Sequence, residues 1–146
     1  MKPTRLSASE ITEFLNEVFP GAMDRFVIEE VTPMRARVRM KYSDYQLRPG
    51  GTISGPSLMT LADTGLWVAL LAMIGREPLS VTSHLDIDFL RKPAPADVIA
   101  HTVLHKIGKR LAVGDVIMYS DGEDVACARA SVTYAIPSVR NDPPVG

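Results

Sequence analysis

One carboxylate stands alone in the most apolar stretch of the chain. Residues 56–74, PSLMTLADTGLWVALLAMI, carry a single charge, Asp63. An ionised carboxylate there costs free energy unless it is paired, hydrated or used. Three readings follow. It can sit at a helix edge, solvated or held by an arginine. It can lie inside a membrane span, since the length is near the roughly 20 residues a span needs. It can be a working group in a cleft, its pKa tuned by burial. A central Asp is expensive in lipid, the flanks carry no clear positive-inside bias, and the neighbouring segments read as soluble sheet.

The second chemical feature lies just upstream, in Arg48-Pro-Gly-Gly-Thr-Ile-Ser-Gly-Pro56. The start of a buried helix offers unpaired N–H groups suited to a developing oxyanion. Gly55 and Asp63 are eight residues apart, about 12 Å along one helix. Asp63 therefore cannot serve its own helix's N-terminus, whereas a symmetric dimer can bring the Asp63 of one chain to the Gly55 of the other. The glycine spacing fits neither a P-loop nor a dinucleotide fingerprint.

Little else has the types or spacing for chemistry. His101 and His105 lie about 13 Å apart if their segment is a strand, too far to chelate one ion. His84 alternates onto the polar face of its own strand. No metal site is expected. The single cysteine, Cys127, excludes an internal disulfide framework and reads as a packed thiol. No G-x-S-x-G elbow occurs. The chain has 146 residues and a net charge of -1, enough for one domain with a real core and no reason to expect nucleic-acid binding. MKPTRLSASE has no apolar signal-peptide core, so a cytoplasmic location is the default expectation.

The elements that must position these groups follow from periodicity. Residues 8–18 read as a short amphipathic helix, capped by Ser7 or Ser9, with Ile11, Phe14, Leu15 and Val18 on one face. Residues 26–32 and 34–41 read as strands, the second alternating apolar with basic, the basic residues most simply the solvated face of a half-buried sheet. Residues 56–74 read as the central helix, with Pro56 in its first turn and Gly75 at its stop. Met59, Ala62, Leu66, Ala69 and Met73 line one side, and Ser57, Thr60, Asp63 (or Thr64) and Trp67 form a more polar stripe. Four strands follow, at 79–90, 98–107, 111–119 and 125–136. In the first, Val81, Ser83, Leu85, Ile87 and Phe89 are expected on one face and Thr82, His84, Asp86, Asp88 and Leu90 on the other. In the last, Ala126, Ala128 and Ala130 share a face that lets a helix approach. The tail, 137–146, is expected to fray. A helix apolar nearly all round is normally buried, and a strongly curved antiparallel sheet can wrap it. One domain over 1–146 is expected.

From about residue 26 to 136 the sequence resembles the hotdog-fold thioesterases of the phenylacetate-degradation, PaaI-like, group. The resemblance is carried by the loop motif at 48–56, by Leu-Ala-Asp-Thr at 61–64, by VTSHLDIDFLRKP at 81–93 and by the Lys106-Ile-Gly-Lys-Arg110 turn. It departs in three places. Arg48 stands for the usual Asn, Ser54 for the usual His, and Pro56 for a second Gly, which removes one N–H but leaves that of Gly55.

The resemblance implies an α+β hotdog fold, a curved antiparallel sheet around one long helix. It implies a homodimer joined through residues 79–90, with pairing into a homotetramer as a further option. It implies hydrolysis of an acyl-CoA-type thioester. Asp63 is then the general base for water, or the nucleophile, and the Gly55 N–H polarises the carbonyl. Arg48, Ser54, Thr64 and Ser83 are the implied substrate neighbours. Arg91, Lys92, Lys109 and Arg110 are candidates for the phosphates of coenzyme A, against a simpler solubilising role. No cofactor is implied beyond the coenzyme A of the substrate, and neither nucleic acid nor membrane as partner. Loss of the motif Asn and His favours one rival, a non-catalytic acyl-CoA-binding or assembly module; a hotdog dehydratase is a second. The dehydratase usually needs a His beside the carboxylate, and none lies in the loop or helix.

Overall fold

Ser7 opens helix α1 (Ala8–Val18) with a reciprocal cap. The Glu10 N–H donates to Ser7 Oγ at 3.2 Å and the Ser7 N–H to Glu10 Oε1 at 3.0 Å. The computed structural model describes residues 1–140. Ile11, Phe14 and Leu15 are buried as their spacing predicts, but Val18, in the last turn, stays 41% exposed.

Strands β1 (Phe26–Thr32) and β2 (Arg35–Met40) form a hairpin. The second strand starts one residue later than expected, because Met34 sits in the turn at φ 65°. Ala36, Val38 and Met40 face the core. The basic side chains opposite are more than a solvated face: Glu29 bridges Arg37 and Arg39, and Arg39 also pairs with Asp97 and Asp121. A short ribbon follows, β3 (Leu47–Arg48) with β4 (Thr52–Ile53).

Helix α2 (Gly55–Ile74) is capped by Ser54 and stopped by Gly75 at φ 93°. By length and composition it could cross a membrane. Here its sides are taken up by a sheet of β1, β2, β5 (Val81–Phe89), β6 (Val98–Ile107), β7 (Leu111–Ser120) and β8 (Ala128–Ala135). The order is β1-β2-β6-β7-β8-β5, every pairing is antiparallel, and α2 touches all six strands. This is the α+β hotdog arrangement. Leu58, Leu61, Leu66, Leu70 and Leu71 are fully buried, each stabilising the fold by about 2 kcal/mol. Small residues set how closely helix and sheet approach. A Cβ on Gly114 would stand 2.6 Å from the Val103 carbonyl oxygen and 2.7 Å from Leu66 Cδ1. Ala128 and Ala130 line the same floor, as their spacing predicts, whereas Ala126 lies before the strand and is half-buried.

The last strand is shorter than expected, Ala128–Ala135, because Leu90 and Arg91 both donate to the Cys127 carbonyl where β8 begins. The expected fraying of the tail falls largely on 141–146, outside the described residues.

Candidate active site

The polar stripe of α2 faces β8 and the edge strand β5. Asp63 is half-buried there. Its Oδ1 accepts a hydrogen bond from Tyr134 at 2.8 Å and a short one from the Thr82 hydroxyl. Neither Thr82 nor Tyr134 is among the residues the sequence points to as site residues.

Unbroken alternation along the strand hides Thr82. The β5–β8 register shifts between Thr82 and His84, leaving Ser83 as the extra residue of a bulge. Thr82 therefore shares the helix-facing side with Leu85, Ile87 and Phe89, contrary to the simple two-residue period. The Ser83 hydroxyl donates to the Thr133 carbonyl at 3.3 Å instead. Tyr134 carries a visible signal: it continues the core-facing series Ala128, Ala130, Val132 at two-residue spacing, and a phenol on such a face needs a partner. Burial first, then the charge of Asp63, raises its pKa well above the usual value, while the Thr82 hydroxyl opposes the shift. Tyr134 is thus a protonated donor throughout the working pH range.

The helix entrance is built on two turns. Gly50 and Gly51 have φ of 98° and 76°, a pair of left-handed conformations that favour glycine. They let β3 reverse into β4, with the Gly51 N–H donating to the Arg48 carbonyl at 3.0 Å. Ser54 then caps α2: its Oγ accepts from the Ser57 N–H at 3.3 Å, and its own N–H donates to the Gln46 carbonyl at 2.8 Å. That is the capping role a serine can fill where the family motif has His. Pro56 lacks an N–H and that of Ser57 is used by the cap, which leaves Gly55 as the free donor of the first turn among the described residues. The Phe89 ring covers Gly55, with Cζ 3.2 Å from where a Cβ would stand.

Arg48 is exposed, and the partners of Asp63 are Thr82 and Tyr134, not Arg48. Thr64 is half-buried beside Asp63. The two basic pairs are exposed at opposite ends of β8. The Arg91 N–H donates to the Cys127 carbonyl, whereas the Arg110 carbonyl accepts from Ile136. Nine residues of strand separate these anchors, about 30 Å, so one chain does not bring Arg91 and Lys92 together with Lys109 and Arg110.

The other reactive types lie elsewhere. Cys127 is buried, and that burial raises its thiol pKa. His101 and His105 line a groove on the outer sheet face, where His105 pairs with Asp115 at 3.0 Å. Among the described residues no cluster of His, Cys, Asp and Glu could hold a metal.

The antiparallel sheet wrapped around one central helix is the architecture that this chain shares with the solved structures it resembles. Residues 50–127 match the thioesterase superfamily. A protein of Silicibacter, proposed to be a thioesterase, is 38% identical over 92% of this chain and 94% of that one, with a TM-score of 0.85. The chain belongs to the thioesterase superfamily, and thioester hydrolysis is the general chemistry that membership supports. Two more distant structures share the fold. Thioesterase superfamily member 2 of zebra fish is 17% identical over 90% of this chain and 99% of that one, with a TM-score of 0.78. The phenylacetic acid degradation protein PaaI of Thermus thermophilus is 22% identical over 86% and 99%, with a TM-score of 0.66. No curated protein matches the sequence significantly.

Proposed function

We propose that the protein hydrolyses acyl-CoA-type thioesters in the cytoplasm, as a homodimer, with Asp63 as general base and the Gly55 N–H as oxyanion donor. Water attacks the thioester carbonyl while Asp63 takes its proton. The tetrahedral oxyanion accepts from the Gly55 N–H, which is worth more there than to the uncharged carbonyl. Collapse breaks the C–S bond, and the proton held by Asp63 returns to the leaving thiolate, giving free acid and coenzyme A. The scheme needs no metal or resident cofactor.

The observation that carries this reading is the geometry of β5. The strand is a sheet edge, and Val81, Phe89 and the flanking Leu79 and Leu90 are all at least half exposed. A nine-residue edge strand with exposed apolar ends is a pairing site. Gly55 sits beside Phe89 near one end of the strand, and Asp63 beside Thr82 near the other. Two copies joined antiparallel through β5, in the register centred between Leu85 and Asp86, would set Thr82 against the partner's Phe89, and hence Asp63 against the partner's Gly55. The same operation brings Arg91 and Lys92 towards the partner's Lys109 and Arg110, a cationic rim suited to coenzyme A phosphates. Ser54 and Thr64 neighbour Gly55 and Asp63 at this seam, and Arg48 is assigned to the acyl end of the site. Further pairing of dimers into a tetramer is compatible with this arrangement.

The decisive experiment is coenzyme A release from acetyl-, hexanoyl-, benzoyl- and succinyl-CoA by wild type and Asp63→Asn. Turnover by the wild type and its loss in a folded, dimeric Asp63→Asn are expected. Full activity in the variant removes Asp63 from the mechanism. Binding of acyl-CoA without release by the wild type establishes the non-catalytic module instead, the reading that loss of the motif Asn and His favours.

A further inference from the structure

Tyr134 is 2% exposed in the middle of the molecule, yet its polar end is directed at Asp63. Its ring is stacked near that of Trp67, one helical turn beyond Asp63, with centroids 6.4 Å apart and planes inclined by 23°. Its hydroxyl meets Oδ1 at 2.8 Å and lies 3.4 Å from the Asp63 backbone carbonyl. Thr82 donates to the same Oδ1 from another strand. Among the described residues, Oδ2 receives no hydrogen bond.

We propose that Tyr134 is a positioning residue for Asp63: its phenol fixes Oδ1, so that Oδ2 is the oxygen that takes the proton from the attacking water. This rests on the reading of Asp63 as the base. A carboxylate on a helix with no partner samples several rotamers, and a base that wanders by an ångström loses much of its effect. Two donors on one oxygen, from β8 and β5, leave a single orientation, and the Trp67 stack holds the phenol that selects it. Both donors are neutral. Among the described residues no lysine, arginine or histidine pairs with Asp63, so its charge is oriented without being cancelled. A cation in the same place would also orient the carboxylate, but would weaken it more as a base.

The test compares full-length Tyr134→Phe, Asp63→Asn and wild type in steady-state acyl-CoA hydrolysis across pH. Tyr134→Phe is expected to lower kcat about tenfold, the scale of one hydrogen bond to a charged group, with KM within about twofold. The loss is expected to fall on kcat rather than on KM, because the bond aims the carboxylate at the water and does not hold the substrate. A kcat loss matched by an equal rise in KM and a lowered melting temperature makes Tyr134 merely structural and overturns the proposal. A faster variant overturns it too, since the contact would then restrain the base rather than aim it. An inactive Asp63→Asn beside a wild-type-like Tyr134→Phe overturns only the positioning role, whereas an active Asp63→Asn removes the base reading beneath it. If Tyr134→Phe does not fold, 3-fluorotyrosine at position 134 keeps the shape and strengthens the donor. It is then expected to change kcat with KM held within about twofold, and an unchanged kcat overturns the proposal.

Discussion

Phe89 lies over Gly55, its ring Cζ 3.2 Å from the place a Cβ would occupy. The contact joins the helix entrance to the sheet edge, the two features the proposed site depends on. Gly55 does not have a positive φ, so alanine is tolerated by the backbone and is a better helix former by up to about 1 kcal/mol. Its methyl must displace the exposed ring of Phe89. Gly55→Ala is therefore expected to melt at or slightly above the wild-type temperature while losing activity. Phe89→Leu, added to it, is expected to restore part of kcat. A melting temperature that falls with activity would instead trace the loss to misfolding.

The shared site can be tested by complementation. Ser54 has φ -70° and ψ 153°, a conformation that accepts a following proline, and proline suits the first helical position. Gly55→Pro then deletes the oxyanion donor, and about a hundredfold loss of kcat is expected, with Gly55→Ala, which places a Cβ beside Phe89 but keeps the N–H, as its control. Co-refolding it with Asp63→Asn regenerates one intact site per mixed dimer. An equal mixture is expected to recover about a quarter of wild-type activity, since half the dimers are mixed and each has one working site of two. Activity no higher than either parent places the site within one chain.

The hydrogen bonds to Asp63 within one chain come from Thr82 and Tyr134, and Arg48 is exposed at the end of the β3–β4 ribbon. Its expected task is to read an acyl group carrying a second carboxylate. Arg48→Asn is expected to raise KM for succinyl-CoA several-fold and to leave hexanoyl-CoA unchanged. Arg48→Lys is not expected to rescue it, because bidentate carboxylate binding needs the planar guanidinium. Equal KM changes for both substrates would return Arg48 to the surface. An acidic limb that moves upward in Arg48→Asn would show instead that the guanidinium acts on the partner's Asp63.

Stability at low pH is expected to depend on Glu29. Its hydrogen bond from Arg39 outweighs partial burial and, together with Arg37, lowers its pKa below 4.5. The folded state thus binds this proton less readily than the unfolded chain. The stabilisation is present above about pH 4.5 and is lost as the pH falls through the lowered folded value. Glu29→Gln is expected to melt lower than wild type at pH 7, with the difference shrinking toward pH 3. A constant difference across that range would point to packing rather than charge.

Most of the fold is legible in the sequence because its signals are local. The starts and stops of α1 and α2 lie in Ser7, Ser54, Gly75 and the apolar periods between them, and β6 has the residues that its pattern delimits. Asp63 and Gly55 stand out as a charge in an apolar helix and a donor at its entrance. What escapes is set by pairing between strands. Thr82 reaches the carboxylate only because the register slips against Thr133 and Tyr134, and nothing within residues 81–90 announces that slip. Met34 reads as strand because it is apolar, whereas the hairpin needs it in the turn. The paired basic face of β2 is likewise invisible without knowing that Glu29, Asp97 and Asp121 converge on Arg39.

The bulge at Ser83 also gives β5 one place where its length is slack. Thr82 opposes Tyr134 and His84 opposes Thr133, so the ladder is already continuous without the residue between them. Removing Ser83 would leave Thr82, Leu85, Ile87 and Phe89 on their present side. Removing any residue from Leu85 to Asp88 would turn one part of the strand over relative to the other, separating the chemistry at one end from the apolar edge at the other. Changes of chain length should accordingly be absorbed at this position and rejected a few residues further on.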